Sequence, residues 1–132
     1  MTDVNDGSRS GARRHPIFKI LRPHEWPDQA QGIDFTGSDV DVNDGYIHLS
    51  TAAQAPATAA KHFAGEANLR ILAVDADSLG AALKWEPSRG GDLFPHLHGP
   101  LPAAAVLWTA PLPLGPDGRH VFPARFAEGR AP

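Results

Sequence analysis

Polar and apolar positions alternate with a period of two in several short runs, and these mark the strands. Pro16–Leu21 (PIFKIL) puts Phe18 and Ile20 on one face and Ile17, Lys19 and Leu21 on the other. Tyr46–Ser50 sends Ile47 and Leu49 one way and Tyr46, His48 and Ser50 the other. Leu69–Ala76 (LRILAVDA) is the most apolar run and reads as a central strand. Lys84–Glu86 reads as a short strand, and Ala104–Leu112, around Val106, Leu107 and Trp108, as the strand that closes the sheet. Leu93–Leu101 is interrupted by Pro95 and Pro100, which argues against a regular central strand there.

Two helices are expected between the strands. Pro23–Gln31 has proline in its first turn and Gly32 as its stop. Ala52–Ala64 follows Thr51 as N-cap and ends before Gly65. Pro56 either marks the true first turn of that helix or kinks it. Ser78–Leu83 reads as a single helical turn, and Ser88–Asp92 as a glycine-rich loop. Asp34–Gly45, dense in Asp, Asn, Gly and Ser, reads as a loop. Unequal helical pieces between strands predict an α+β fold, a curved mixed β-sheet with two short flanking helices.

Length changes the picture little: 132 residues make one domain. That domain is expected over 16–123, between a disordered arm at 1–15 and a featureless tail at 124–132. Both Met1–Arg14 and Phe126–Pro132 are expected to be dispensable, since neither has an apolar face to dock. No apolar run reaches the ~20 residues of a membrane helix, so no membrane association is expected. The first residues lack the apolar stretch of a secretory signal, and there are no cysteines, which suits a reducing cytoplasm.

Charge removes one class of partner. Residues 16–123 carry 7 basic against 12 acidic side chains, a balance that repels phosphate backbones and opposes general nucleic-acid binding. Motifs remove others. No G-x-G-x-x-G opens a helix, no Walker A or G-x-S-x-G sequence is present, and His24-Glu25 is followed by Asp28 where a zincin needs its second histidine.

What remains gathers on three segments. The row Tyr46, His48, Ser50, next to Thr51, aligns an aromatic, an imidazole and two hydroxyls; the alternative is an ordinary half-exposed strand. Trp85-Glu86-Pro87-Ser88-Arg89-Gly90-Gly91 sets an arginine, suited to bidentate anion contact, before two glycines that let a ligand approach the backbone. Alternatively it is a turn whose arginine pairs with a neighbouring carboxylate. Phe94–Pro100 carries His96 and His98 at a spacing that shares one side of an extended chain, and His96 is equally readable as a hydrogen-bonded core histidine. No nearby carboxylate or cysteine completes an obvious set with these histidines, so no metal is expected. Lys19 is either an edge residue or a charge projecting into a cavity.

Taken together, IFKILRPHEW, GYIHLST, LAVD and KWEPSRGGDLFPHLHG resemble the small bacterial family catalogued as domain of unknown function 952, over about residues 17–110. The sequence departs from the family pattern at His98, where tyrosine is commoner. The resemblance implies an ADP-ribosyltransferase-like fold, with RNA 2′-phosphotransferases as its nearest members. It places Lys19 in the superfamily's first motif, and His48-Leu49-Ser50 in its second. The catalytic glutamate of protein-modifying transferases has no counterpart in Val106–Thr109.

The expectation is a domain that binds NAD or a related nucleotide or phosphate ligand in a cleft, and that as an enzyme, or the relic of one, transfers ADP-ribose or phosphate. In that reading Arg89, with the Gly90-Gly91 backbone, holds phosphate, His48 and Ser50 bond ribose, and Trp85 or Tyr46 stacks on a base. His96 moves a proton. Two alternatives stand beside it: a noncatalytic ligand-binding or interaction module with structural histidines, and a chain that acts through an oligomer.

Overall fold

The computed structural model describes residues 16–25, 32 and 34–126. The arm at 1–15, most of the helix expected over Pro23–Gln31, and the last six residues lie outside them. Pro23–Glu25 forms one 3-10 turn.

The architecture is α+β, with two three-stranded sheets. The strands are β1 (Ile17–Leu21), β2 (Ile47–His48), β3 (Leu69–Val74), β4 (Leu83–Pro87), β5 (Leu93–Leu97) and β6 (Val106–Leu112). One sheet has the order β1-β3-β6 and the other β2-β5-β4. Every strand pairing among the described residues is antiparallel, which corrects the expected mixed sheet. The sequence period identifies strands but carries no information on direction or partner.

The sheets meet at Phe18 and Ser50, whose backbones exchange hydrogen bonds of 2.7 and 2.9 Å. β3 is central in its sheet, as its composition predicts, and five of its six residues are buried. All of β1 is buried, because each of its faces packs against a different core. Ile17 and Leu21 join Ile47, Leu49, Leu72 and Leu97 between the sheets. Phe18 and Ile20 join Ile71, Ala55, Ala59 and Phe126 on the far side.

β5 is the centre of the second sheet, against the expectation drawn from Pro95. In an antiparallel ladder a residue directs its N–H and C=O to the same neighbour. The Pro95 carbonyl accepts from Leu49 (3.1 Å), so the donor it lacks is aimed at β2, which is only two residues long. The ladder to β4 is carried by the flanking residues and is untouched.

Helix α1 (Asp39–Asp44) occupies the segment expected to be loop. Ser38 and Asp41 form a reciprocal capping box, and Gly45, at φ 89°, supplies the left-handed C-cap. Helix α2 (Ala55–His62) is the expected second helix, with Pro56 in its first turn. The helix starts later than expected, with Gln54 and not Thr51 as its N-cap: Thr51 opens the turn before it, where its hydroxyl accepts from Gln54 N–H (3.2 Å) and the Gln54 side chain accepts from Thr51 N–H (3.0 Å).

Phe126, within the tail expected from residue 124, is only 3 % exposed and packs with Phe18 and Ile20. No helix among the described residues is long and apolar enough to cross a membrane.

Candidate functional site

The inward face of β1, the start of α1, the β2 extension, α2 and β5 enclose a cavity of about 380 Å³. Lys19, Asp41, Asp44, His48, Ser50 and His96 all line it. Alternation along the strand sets His48 and Ser50 on the face turned from the core, while Lys19 and His96 stood as candidates with a structural alternative beside each.

Asp41 is the hub. Its carboxylate, 2 % exposed, accepts from Lys19 Nζ (3.0 Å to Oδ1, 2.8 Å to Oδ2) and from His48 Nδ1 (2.7 Å). It also accepts from the backbone N–H groups of His48 (3.1 Å) and Ser38 (2.9 Å). Gly37 makes room for it: a Cβ there would lie 2.9 Å from that of Asp41. Burial alone would push the Asp41 carboxyl up. The His48 hydrogen bond, the Lys19 charge and the Ser38 N–H outweigh it and hold the group well below the usual carboxylate range. Burial pushes the Lys19 amine down, against the opposing pull of Asp41.

The sign of the resulting pH dependence follows. A carboxyl with a folded value below its unfolded 3.8 contributes stability that is complete above that value and lost as pH falls through the folded one. Urea midpoints of the wild-type chain should therefore drop steeply below pH ~4, and those of Asp41→Asn less steeply. Equal slopes in the two series would remove Asp41 as the cause.

The second histidine has its own carboxylate. His96, 3 % exposed and directly across from His48 in the β2–β5 ladder, holds Glu86 Oε1 through Nδ1 at 2.8 Å. His98 Nε2 meets the same oxygen at 2.9 Å. Hydrogen bonds from His98 first, then from His96, draw the Glu86 carboxyl down. Tyr46 stacks on His96 (4.2 Å between centroids, 26° between planes) and packs against His48 at 4.6 Å. His48 and His96 rings lie 5.6 Å apart.

Each histidine's tautomer is set by these contacts. An ionised carboxylate only accepts, so Nδ1 of both rings carries hydrogen. His96 Nε2 has no protein partner among the described residues, while His48 Nε2 faces Asp44 Oδ2 at 3.0 Å. Ser50 Oγ lies 2.9 Å from Thr58 Oγ1.

Other expected members fall elsewhere. Tyr46, Glu86 and His98 support the two imidazoles from outside the cavity, Tyr46 lining a separate hollow beside it. Trp85 stands opposite Pro95 on the other face of the sheet, 47 % exposed, so it does not join the cavity. Thr51 is occupied by the turn before α2, where its hydroxyl accepts from Gln54 N–H. Gly90 and Gly91 form a 3-10 turn at φ 71° and 86°, away from the cavity wall, to which the neighbouring Ser88 contributes. The Arg89 side chain, and with it the expected anion clamp, lies outside the described part of the molecule.

Sequence reasoning missed Asp41, Asp44 and Arg22. The first two sit in the segment expected to be loop, although Ser38-x-x-Asp41 is a legible capping pattern. Arg22 lines the cavity, grips Glu66 in a two-point pair (Nε–Oε1 2.7 Å, Nη2–Oε2 2.8 Å) and stacks on Phe63 at 4.6 Å. Nothing in the local sequence marks a partner 44 residues away.

Relatives of this arrangement are solved. A crystal structure of protein CC0527 from Caulobacter crescentus matches with a TM-score of 0.77 at 51 % identity, covering 85 % of this chain and 98 % of that one. The solution NMR structure of CC0527 matches with a TM-score of 0.70 at 54 % identity, covering 80 % and 90 %. Among curated proteins none matches. The family pattern described as Protein of unknown function (DUF952) fits residues 20–109, and the chain belongs to that family.

Proposed function

We propose that the cavity is a nucleotide-binding cleft of the ADP-ribosyltransferase-like kind, taking NAD or a related ribose–phosphate ligand. One observation carries the reading: His48 and His96, each oriented by its own carboxylate, converge with Ser50 on a single cavity. Hydrogen-bonding groups of fixed orientation in a partly apolar hollow are what a ribose needs. Phe63 and Phe94 supply apolar wall for a base. Two antiparallel sheets joined at one bridge, with the cavity beside the join, suit the fold grouping that the sequence resemblance implies. As an enzyme the cleft would transfer ADP-ribose or phosphate.

A noncatalytic ligand-binding module is the second reading, and a specific observation favours it. Lys19, Arg22 and His48 are already engaged by carboxylates within the fold.

Thermal shift with NAD, ADP-ribose and inorganic phosphate tests the binding. A ligand at 100 times its dissociation constant stabilises by about 2.7 kcal/mol. The expected result is a rise in Tm with NAD or ADP-ribose that His48→Ala and His96→Ala both remove. No shift with any of the three refutes the cleft. NAD bound and left intact over a day, followed by proton NMR, selects the noncatalytic module.

A further inference from the structure

We propose that this cleft hydrolyses a ribonucleoside 2′,3′-cyclic phosphate, with His96 as the base and His48 as the acid. The proposal rests on the nucleotide reading above and adds a reaction to it.

The two imidazoles differ in the way an acid–base pair must. His96 has its Nδ1–H tied to Glu86 and, among the described residues, no partner on Nε2, so Nε2 presents a lone pair. His48 has a carboxylate against each nitrogen, Asp41 at 2.7 Å and Asp44 at 3.0 Å. Only the doubly protonated ring donates to both, so His48 carries the spare proton. The rings stand 5.6 Å apart at 67°, on directly paired residues of neighbouring strands, and both line the one cavity. Asp44 is 41 % exposed and free to swing from His48 Nε2 as a leaving oxygen takes its place.

Charge and size choose the substrate. The cavity wall carries Lys19 and Arg22 against Glu25, Asp41 and Asp44, and a protonated His48 brings the formal total to zero. That environment accepts a phosphodiester monoanion. At about 380 Å³ the hollow is near the small end of the ~300–1,000 Å³ range of ligand sites, a mononucleotide's share. A cyclic diester is the mononucleotide form whose cleavage requires both a base for water and an acid for the leaving 2′-oxygen.

The step balances. Water gives a proton to His96 Nε2 as its oxygen bonds to phosphorus. The P–O2′ bond breaks, and the 2′-oxygen takes the proton of His48 Nε2. A nucleoside 3′-monophosphate results, and proton exchange with solvent restores both rings. The charged and titratable groups that face the pair are Asp41 and Asp44 at His48, Glu86 at His96, and Tyr46 against both, with Lys19 on Asp41 and His98 on Glu86.

Phosphorus NMR of the full chain with adenosine and cytidine 2′,3′-cyclic phosphates tests this. Expected are conversion to the 3′-monophosphate, a bell-shaped pH profile of kcat/KM, and a loss of about 100-fold or more in His96→Ala and in His48→Ala. His96→Gln, which retains a donor for Glu86, guards against misfolding: with wild-type Tm it should be equally inactive. No conversion, with nucleotides still raising Tm, overturns the hydrolysis and leaves the binding cleft standing. No conversion and no nucleotide shift overturns both. Conversion that survives both histidine substitutions overturns the assignment of acid and base.

Discussion

Asp41→Ala should lower the stability of the domain by about 3–5 kcal/mol, the range for breaking a buried ion pair by removing one partner. For a domain of this size that is a fall in Tm of about 12–20 °C. The cause is the set of donors left behind. Lys19, 7 % exposed, would keep its ammonium in the interior with no counter-charge, and His48 and Ser38 would lose the acceptor for three N–H groups between them. Desolvation already disfavours the Lys19 charge, so the cost falls mainly there.

A second pair of variants separates the ion pair from the hydrogen bonds. Asp41→Asn keeps an acceptor oxygen for His48, sets an amide NH2 where the Ser38 N–H had its acceptor, and removes the charge, so it should still be destabilising. Adding Lys19→Met to it removes the stranded ammonium and should recover at least half of the loss, because an apolar replacement of a buried charge carries little penalty. If the double variant melts no higher than Asp41→Asn alone, the Lys19 charge is not the source of the effect. Chemical denaturation at pH 7 measures all three.

The same residue shows how far the sequence could be read. Faces of strands were legible: Ile47 and Leu49 are in the core, and His48 and Ser50 point to the cavity, because a two-residue period needs no knowledge of partners. Helix α2 was legible from its proline, though its caps are Gln54 and Phe63 where Thr51 and Gly65 were expected. The sheet order was not, since Phe18 meets Ser50 and His48 meets His96 through pairings that no local pattern encodes. Asp41 was hidden by composition: a segment of Gly, Ser, Asp and Asn has the statistics of a loop, yet a capping box and buried ion pairing make it a helix. Trp85 misled in the opposite way. An aromatic beside a glycine-rich turn suggests a stacking platform, but alternation along β4 sends it to the face away from Glu86. The three-segment reading named Glu86, which holds His96, but left out Asp41, which holds His48.

A chain ending at Pro123 should lose about 3–5 kcal/mol, because it deletes a large aromatic from the second core. Phe126 lies 4.8 Å from the ring of Phe18 and 4.6 Å from that of Phe122. Phe18 is 1 % exposed and is the β1 residue that bridges to Ser50, so the last helical turn closes over the strand that carries Lys19. Arg125 adds a guanidinium 5.2 Å above Trp108, which packs on Phe18 from the other side at 6.1 Å. Removing Phe126 opens a cavity against Phe18, with the two alanines of α2, Ala55 and Ala59, too small to fill it. Phe126→Ala in the full chain should reproduce most of the loss, and Phe126→Leu, which restores much of the volume, should cost about 1 kcal/mol. Because the damaged wall is shared, any ligand-induced rise in Tm should weaken in the shortened chain as well. Calorimetry on the full chain, the two substitutions and the shortened chain makes the comparison. A shortened chain melting within a degree or two of the full one would show that Phe126 contributes nothing, and that the domain ends at Pro123.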